Sequence, residues 1–193
     1  MKLLEYINFT GIILSIFGYI IGLKFPDIDH KIKFLSHRSI ITHSPFIAVF
    51  FYFLYIKSGS SDFNYFITSF FIAESIHMIY DFFPKGWIGG ALIKAPFINS
   101  IGILSSKIFI FISIVILMGL GFYSFEGSIQ YRMYFIESII FMILLTKKEG
   151  KIFRPILLFI ILYSVYGYIF YPILTKSYFQ IIHNMGINLL NFK

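Results

Sequence analysis

Four of the five histidines fall between His30 and His77, in three short words that also carry four carboxylates. The words are Phe25–His30 (FPDIDH), His37–Ser44 (HRSIITHS) and Glu74–Asp81 (ESIHMIYD). Carboxylate oxygen and imidazole nitrogen are donors suited to zinc, manganese or iron. On a helix, Glu74, His77 and Asp81 stand at i, i+3 and i+7 and share one face. Asp81 then lies roughly 10 Å further along the axis than Glu74. Asp27 and Asp29 project alike if the chain is extended after Pro26. His37 and His43 are too far apart for one helical turn, but they converge if a helix begins near Ser39 and His37 stays in the loop. A cluster this acidic could hold two cations, which would position and activate water for hydrolysis. Arg38 has the planar fork that matches a phosphate or carboxylate, and it could equally be a topology determinant. Thr42 and Ser44 are candidates to cap the following span or to support His43 from behind.

The elements that must carry these words are apolar. Of the 193 residues, 58% are hydrophobic and 13% charged, with a mean hydropathy of +0.83. A soluble chain is typically about 25% charged, so too little charge is present to coat a soluble surface. The apolar residues also come in long runs, which lipid tolerates. Six spans are expected, at Tyr6–Phe25, Ile40–Ile56, Phe63–Phe83, Lys107–Phe125, Tyr131–Thr146 and Phe153–Leu174. The expected fold is an all-α polytopic membrane bundle, a single transmembrane domain over residues 1–193. The first run has full span length and no small-residue cleavage site, so it reads as retained. Ser177–Lys193 is either an interfacial helix or a marginal further span. Lys57–Asp62 reads as a polar turn and Lys147–Lys151 as a charged loop. The connection from Pro84 to Ser106 is apolar yet rich in Gly and Pro, which predicts an interfacial or re-entrant lid.

Of the sixteen Lys and Arg residues, eleven fall on the side that holds loops 1–2, 3–4 and 5–6. That side is expected to be cytoplasmic, in the cell (inner) membrane. All three words arrive there, although the spans were drawn from apolarity alone. The net charge of +7 is spread over loops, so membrane topology is its simpler reading and no nucleic-acid partner is expected. With no cysteine, disulfides, thiol catalysis and Cys-ligated zinc are excluded. Glu137, within the fifth span, handles protons or pairs with a buried Tyr or Arg. His183 receives no role. Trp87 and the tyrosines read as interfacial anchors.

The order PDID–H, HRxxxTHS, HxxxD, followed by Gly86 and Pro96, resembles the YdjM-like family of predicted membrane-bound metal-dependent hydrolases. The matching residues are Pro26, Asp27, Asp29, His37, Arg38, Thr42, His43, Ser44, His77 and Asp81. The match covers about residues 18–97; Glu74 and His30 lie outside the matched positions. The resemblance implies a divalent metal, zinc or manganese, held by Asp27, Asp29, His43, His77 and Asp81. His37 is then a further ligand or the acid–base group, and Arg38 holds an anionic group of the substrate. The expected partners are the lipid bilayer and a phosphoester or lipid-like substrate. Two alternatives stay open: an ion- or proton-coupled transporter using Glu74 and Glu137, and a scaffold in which metal or hydrogen bonds only pin the segments together.

Overall fold

The computed structural model describes residues 8–32, 35–58, 61–95, 100–150 and 153–170. Lys33, Pro96, Phe97, Lys151 and the tail with His183 lie outside the described residues. The fold is all-α: α1 (Phe9–Lys24), α2 (Phe46–Ser58), α3 (Ser61–Asp81), α4 (Ile103–Tyr123), α5 (Ser128–Glu149) and α6 (Phe153–Ile169). Two short 3₁₀ turns, Pro26–Lys31 and Gly89–Ala91, lie in the connections. Each of the six expected spans overlaps one of these helices.

The bundle is built around α3, which packs against each of the other five helices. Its core face is apolar on more than one side: Ile67, Phe70, Phe71, Ile72, Ala73, Ile76 and Ile79 are all buried. Its buried Ser and Thr residues are satisfied close to home. Ser69 donates to the Tyr65 and Phe66 carbonyls, Ser75 to Ile72, and Thr68 to Asn64 Oδ1. Asn64 crosses to the end of α4 and donates to the Ser124 carbonyl at 3.0 Å. A helix enclosed by protein in this way needs no lipid-compatible surface of its own.

α1 lies closest to α3, and glycine sets that approach. A β-carbon on Gly18 would collide with the Phe66 carbonyl oxygen, and one on Gly22 would stand 2.5 Å from the Phe70 carbonyl oxygen. Gly18 and Gly22 form a GxxxG stripe, the spacing that lets two helix backbones touch. The contact seats the C-terminus of α1 beside the last turns of α3.

Four expected features are corrected. α2 begins at Phe46 rather than Ile40, because residues 37–44 fold into turns and Pro45 then opens the helix. His43 therefore sits in a turn, not in a span. Asp27 and Asp29 lie in a 3₁₀ turn rather than an extended segment, so they point apart instead of alike. α5 runs on to Glu149 through the expected loop; Lys147, Lys148 and Glu149 are good helix formers. Gly150 at φ 66° ends it in the left-handed conformation glycine accepts. α4 begins at Ile103, before the expected Lys107.

The connection after α3 folds back over the His37–Ser44 turns. Ser39 and Lys94 form a parallel bridge: Ile40 N–H donates to the Lys94 carbonyl at 2.8 Å, and Lys94 N–H to the Arg38 carbonyl at 2.9 Å. Ile93 is fully buried beneath this cover, whereas Ile88 is exposed.

The outward faces of the other helices are apolar. Phe46, Phe50, Phe53 and Leu54 are exposed on α2, Leu104, Ile108 and Ile112 on α4, and Ile129, Ile136, Ile140 and Ile143 on α5. These positions recur at helical spacing. Among the described residues, two helices, Ile103–Tyr123 and Ser128–Leu145, are long and apolar enough to cross a membrane.

Candidate metal centre

His77 projects from the penultimate turn of α3 toward the end of α1. Its Nδ1 lies 2.8 Å from the Leu23 carbonyl oxygen. A carbonyl only accepts, so Nδ1 carries a proton, and in the neutral ring Nε2 keeps its lone pair. Nε2 faces Asp81 Oδ2 at 3.5 Å and Asp27 Oδ1 at 3.7 Å. The cause is the packing of α1 on α3, which places the Leu23 carbonyl against the ring.

His43 is oriented from behind by the same logic. Its Nδ1 lies 3.1 Å from Thr42 Oγ1, and Thr42 Oγ1 donates to Asp29 Oδ2 at 3.3 Å. A relay from Nδ1–H through the hydroxyl to a buried carboxylate leaves His43 Nε2 as the free donor atom. That atom stands 3.2 Å from Asp81 Oδ2. Asp29 is itself buried and accepts from Ser39 N–H at 3.0 Å.

Three ligand atoms from two parts of the sequence therefore meet, and Asp27 approaches from a third. The nearest tools of comparison are the bond lengths a metal requires. Zinc holds nitrogen and oxygen at about 2.0–2.2 Å, so neighbouring donors in a tetrahedral shell lie about 3.4 Å apart. The observed separations are 3.2 Å for His43–Asp81, 3.5 Å for His77–Asp81 and 3.7 Å for His77–Asp27. Moreover, His43 Nε2 and Asp81 Oδ2 are buried and have no hydrogen-bond partner among the described residues. Orphaned buried polar atoms are costly unless something else satisfies them. A divalent cation fits that need, and buried His and Asp groups here could hold one.

Asp29, His30 and His37 form a second group with ligand atoms near one another. The His30 and His37 rings stack at 4.1 Å. His37 Nδ1 lies 3.9 Å from Asp29 Oδ1, and neither atom has a hydrogen-bond partner among the described residues. Burial, and then the neighbouring His30, lower the His37 pKa below its ordinary value, which favours the neutral ring that can bind a cation or accept a proton. Asp29 joins the two groups, since Oδ2 faces His43 and Oδ1 faces His37.

Arg38 is turned inward. Its guanidinium donates to Asp81 Oδ1 at 2.6 Å and to the Ala91 carbonyl at 2.5 Å. It thereby ties the covering loop to α3 and turns the other oxygen of Asp81 toward the histidines. Its backbone has φ 58°, a left-handed conformation uncommon outside glycine, held by these side-chain bonds and by the Lys94 bridge.

Asp27, His77 and Asp81 line a cavity of about 410 Å³ between α1, α3 and α5. The structure brings Asp27, Asp29, His37, Arg38, His43, His77 and Asp81 together, around two adjoining groups of ligand atoms. His30, outside the matched positions, joins one of them. Lys24 and Tyr80 line the cavity and carried no signal in the sequence beyond lying beside the first word and within the third. Glu74, at i−3 from His77, is fully buried, and neither carboxyl oxygen has a hydrogen-bond partner among the described residues. Thr42 supports His43, whereas the Ser44 hydroxyl donates to the Ile41 carbonyl at 3.3 Å.

No family model, curated protein or solved structure matches this chain.

Proposed function

We propose that this chain is a multi-pass membrane protein and a metal-dependent hydrolase of the YdjM-like kind, acting on a phosphoester or lipid-like ester at the cytoplasmic face. One observation carries the reading: His43 Nε2, His77 Nε2 and Asp81 Oδ2 converge at ligand-like separations beside a cavity, and two of the three are buried without a hydrogen bond. A divalent cation bound there, zinc or manganese by its donor set, would supply Lewis acidity and a water of lowered pKa. Asp27 completes the donor set from the 3₁₀ turn. Arg38 holds Asp81 in register from the far side. His37, half exposed and favoured in its neutral form, is the group suited to accept and return a proton.

The multi-pass reading draws on the exposed apolar faces of α1, α2, α4, α5 and α6. Contiguous apolar surface of this extent calls for lipid or a partner. α1 has 16 residues and α2 has 13, so both would stand upright or thin the bilayer locally. The basic loops support a cytoplasmic position for the metal centre.

A second reading rests on Glu74. A buried carboxyl without a partner, one turn from His77, is suited to relay protons in a transporter. Purified protein separates the two readings. The hydrolase reading predicts that turnover of chromogenic phosphomonoesters or phosphodiesters stops on chelation, returns with zinc or manganese, and is lost in Asp81→Asn. Proton or cation flux into proteoliposomes that depends on Glu74, with no turnover of any ester, would favour the transporter.

A further inference from the structure

The cavity beside the metal-binding atoms is chemically divided. Around Asp27, His77 and Asp81 it is polar, and Lys24, an exposed residue in the last turn of α1, is among its lining residues. Away from them its walls are hydrocarbon: Ile20 and Leu23 from α1 face Leu144, Leu145 and Phe141 from α5. Tyr19 stacks on Phe141 with ring centroids 4.8 Å apart, which closes the slot between the two helices below the level of Ile20. From Ile20 to Lys24, and again from Phe141 to Leu145, is about one helical turn, so the apolar slot is roughly 6 Å deep. Ile20 and Leu144 remain 39% and 53% exposed, so these walls are uncovered rather than packed.

Such a site suits a molecule with an anionic head and an apolar chain. A neutral carboxyl ester would leave Lys24 with nothing to bind. A phosphate ester retains a negative charge throughout and would meet both Lys24 and a cation at the histidines. Asp81 is already paired with Arg38, so Asp27 is the carboxylate left to oppose an anion, and a cation at the histidines would supply the charge that the head group meets.

We propose that the cavity binds a phosphate-bearing amphiphile, with its head on Lys24 and the metal centre and the first methylenes of its chain between α1 and α5. The proposal rests on the metal-centre reading above and names the substrate class for it. It can fail while that reading stands.

The test uses metal-loaded full-length protein in nanodiscs and a series of alkylphosphonates from methyl to octyl. Affinity is expected to rise about fourfold per methylene over the first few carbons and then to level off once the slot is filled. In Leu144→Trp the indole occupies the slot, so the octyl-to-methyl affinity ratio falls toward one; metal content reports that the variant is folded. Lys24→Met weakens every member of the series, and octanol binds far more weakly than octylphosphonate. A butylphosphonate with a terminal diazirine, whose chain matches the slot depth, crosslinks to the α5 peptide spanning residues 141–145, which gives a readout independent of any variant.

An octyl-to-methyl ratio that is the same in Leu144→Trp as in wild type would mean that the chain partitions into lipid, and it would overturn the slot. Crosslinks confined to other helices would do the same. Octanol binding as tightly as octylphosphonate, or metal-loaded protein that ignores methylphosphonate, would overturn the head-group assignment. Absence of metal from folded wild type is a separate outcome, which removes the metal-centre reading and this proposal together.

Discussion

His77 and His43 are poised as ligands by what stands behind them. The Leu23 carbonyl fixes the tautomer of His77, and Thr42 passes the Nδ1 proton of His43 toward Asp29. Outer partners of this kind commonly tune metal affinity by about 10–100-fold. Thr42→Val keeps the shape of the side chain and removes the hydroxyl. Competition against a chromophoric chelator is expected to show metal affinity lowered by about that factor. Unchanged affinity would mean that Thr42 serves the backbone alone. The donor types and their grouping were legible in the sequence, because scarce ionisable residues in an apolar chain stand out. The partition of Asp27 from Asp29 was not: a 3₁₀ turn sends one to His77 and the other to Thr42 and Ser39, whereas an extended segment would align them. The inward turn of Arg38 was equally hidden, since it depends on the Ala91 carbonyl arriving from a loop 53 positions away.

The helices were legible because each is an apolar run broken by Pro, Gly or charge. Their limits were less so. The start of α2 is displaced to Phe46 by bonds from Asp29 and Lys94 to the preceding turns, and long-range bonds leave no trace in local periodicity. The α1–α3 approach at Gly18 and Gly22 is decisive for the site, because it carries the Leu23 carbonyl and Asp27 to His77. Gly18→Val would force these helices apart. Overpacking of this kind costs about 1–3 kcal/mol, which thermal unfolding in detergent would register. Metal affinity should fall in the same variant, although Gly18 touches no ligand. A lowered melting temperature with metal affinity intact would mean that α1 does not position the centre.

At the scale of the molecule, the proposal sets one enclosed helix, α3, within five helices that turn apolar faces outward. The low hydropathy of α3 follows from its place in the bundle: its Asn, Thr and Ser residues bond to neighbouring backbone and side chains rather than facing lipid. The chain lacks cysteine, so single cysteines can be introduced on a clean background. In intact cells, Lys57→Cys is expected to react with an impermeant maleimide, and Lys85→Cys only after permeabilisation. The reverse pattern would invert the topology and move the metal centre to the outer face.

The central claim is that the His43, His77 and Asp81 constellation holds a cation. Elemental analysis of detergent-purified protein tests it directly, comparing wild type with a His43→Ala/His77→Ala double variant. The account predicts stoichiometric zinc or manganese in the folded wild type and none in the variant. Folded wild type without stoichiometric metal, or equal metal in both proteins, would contradict it.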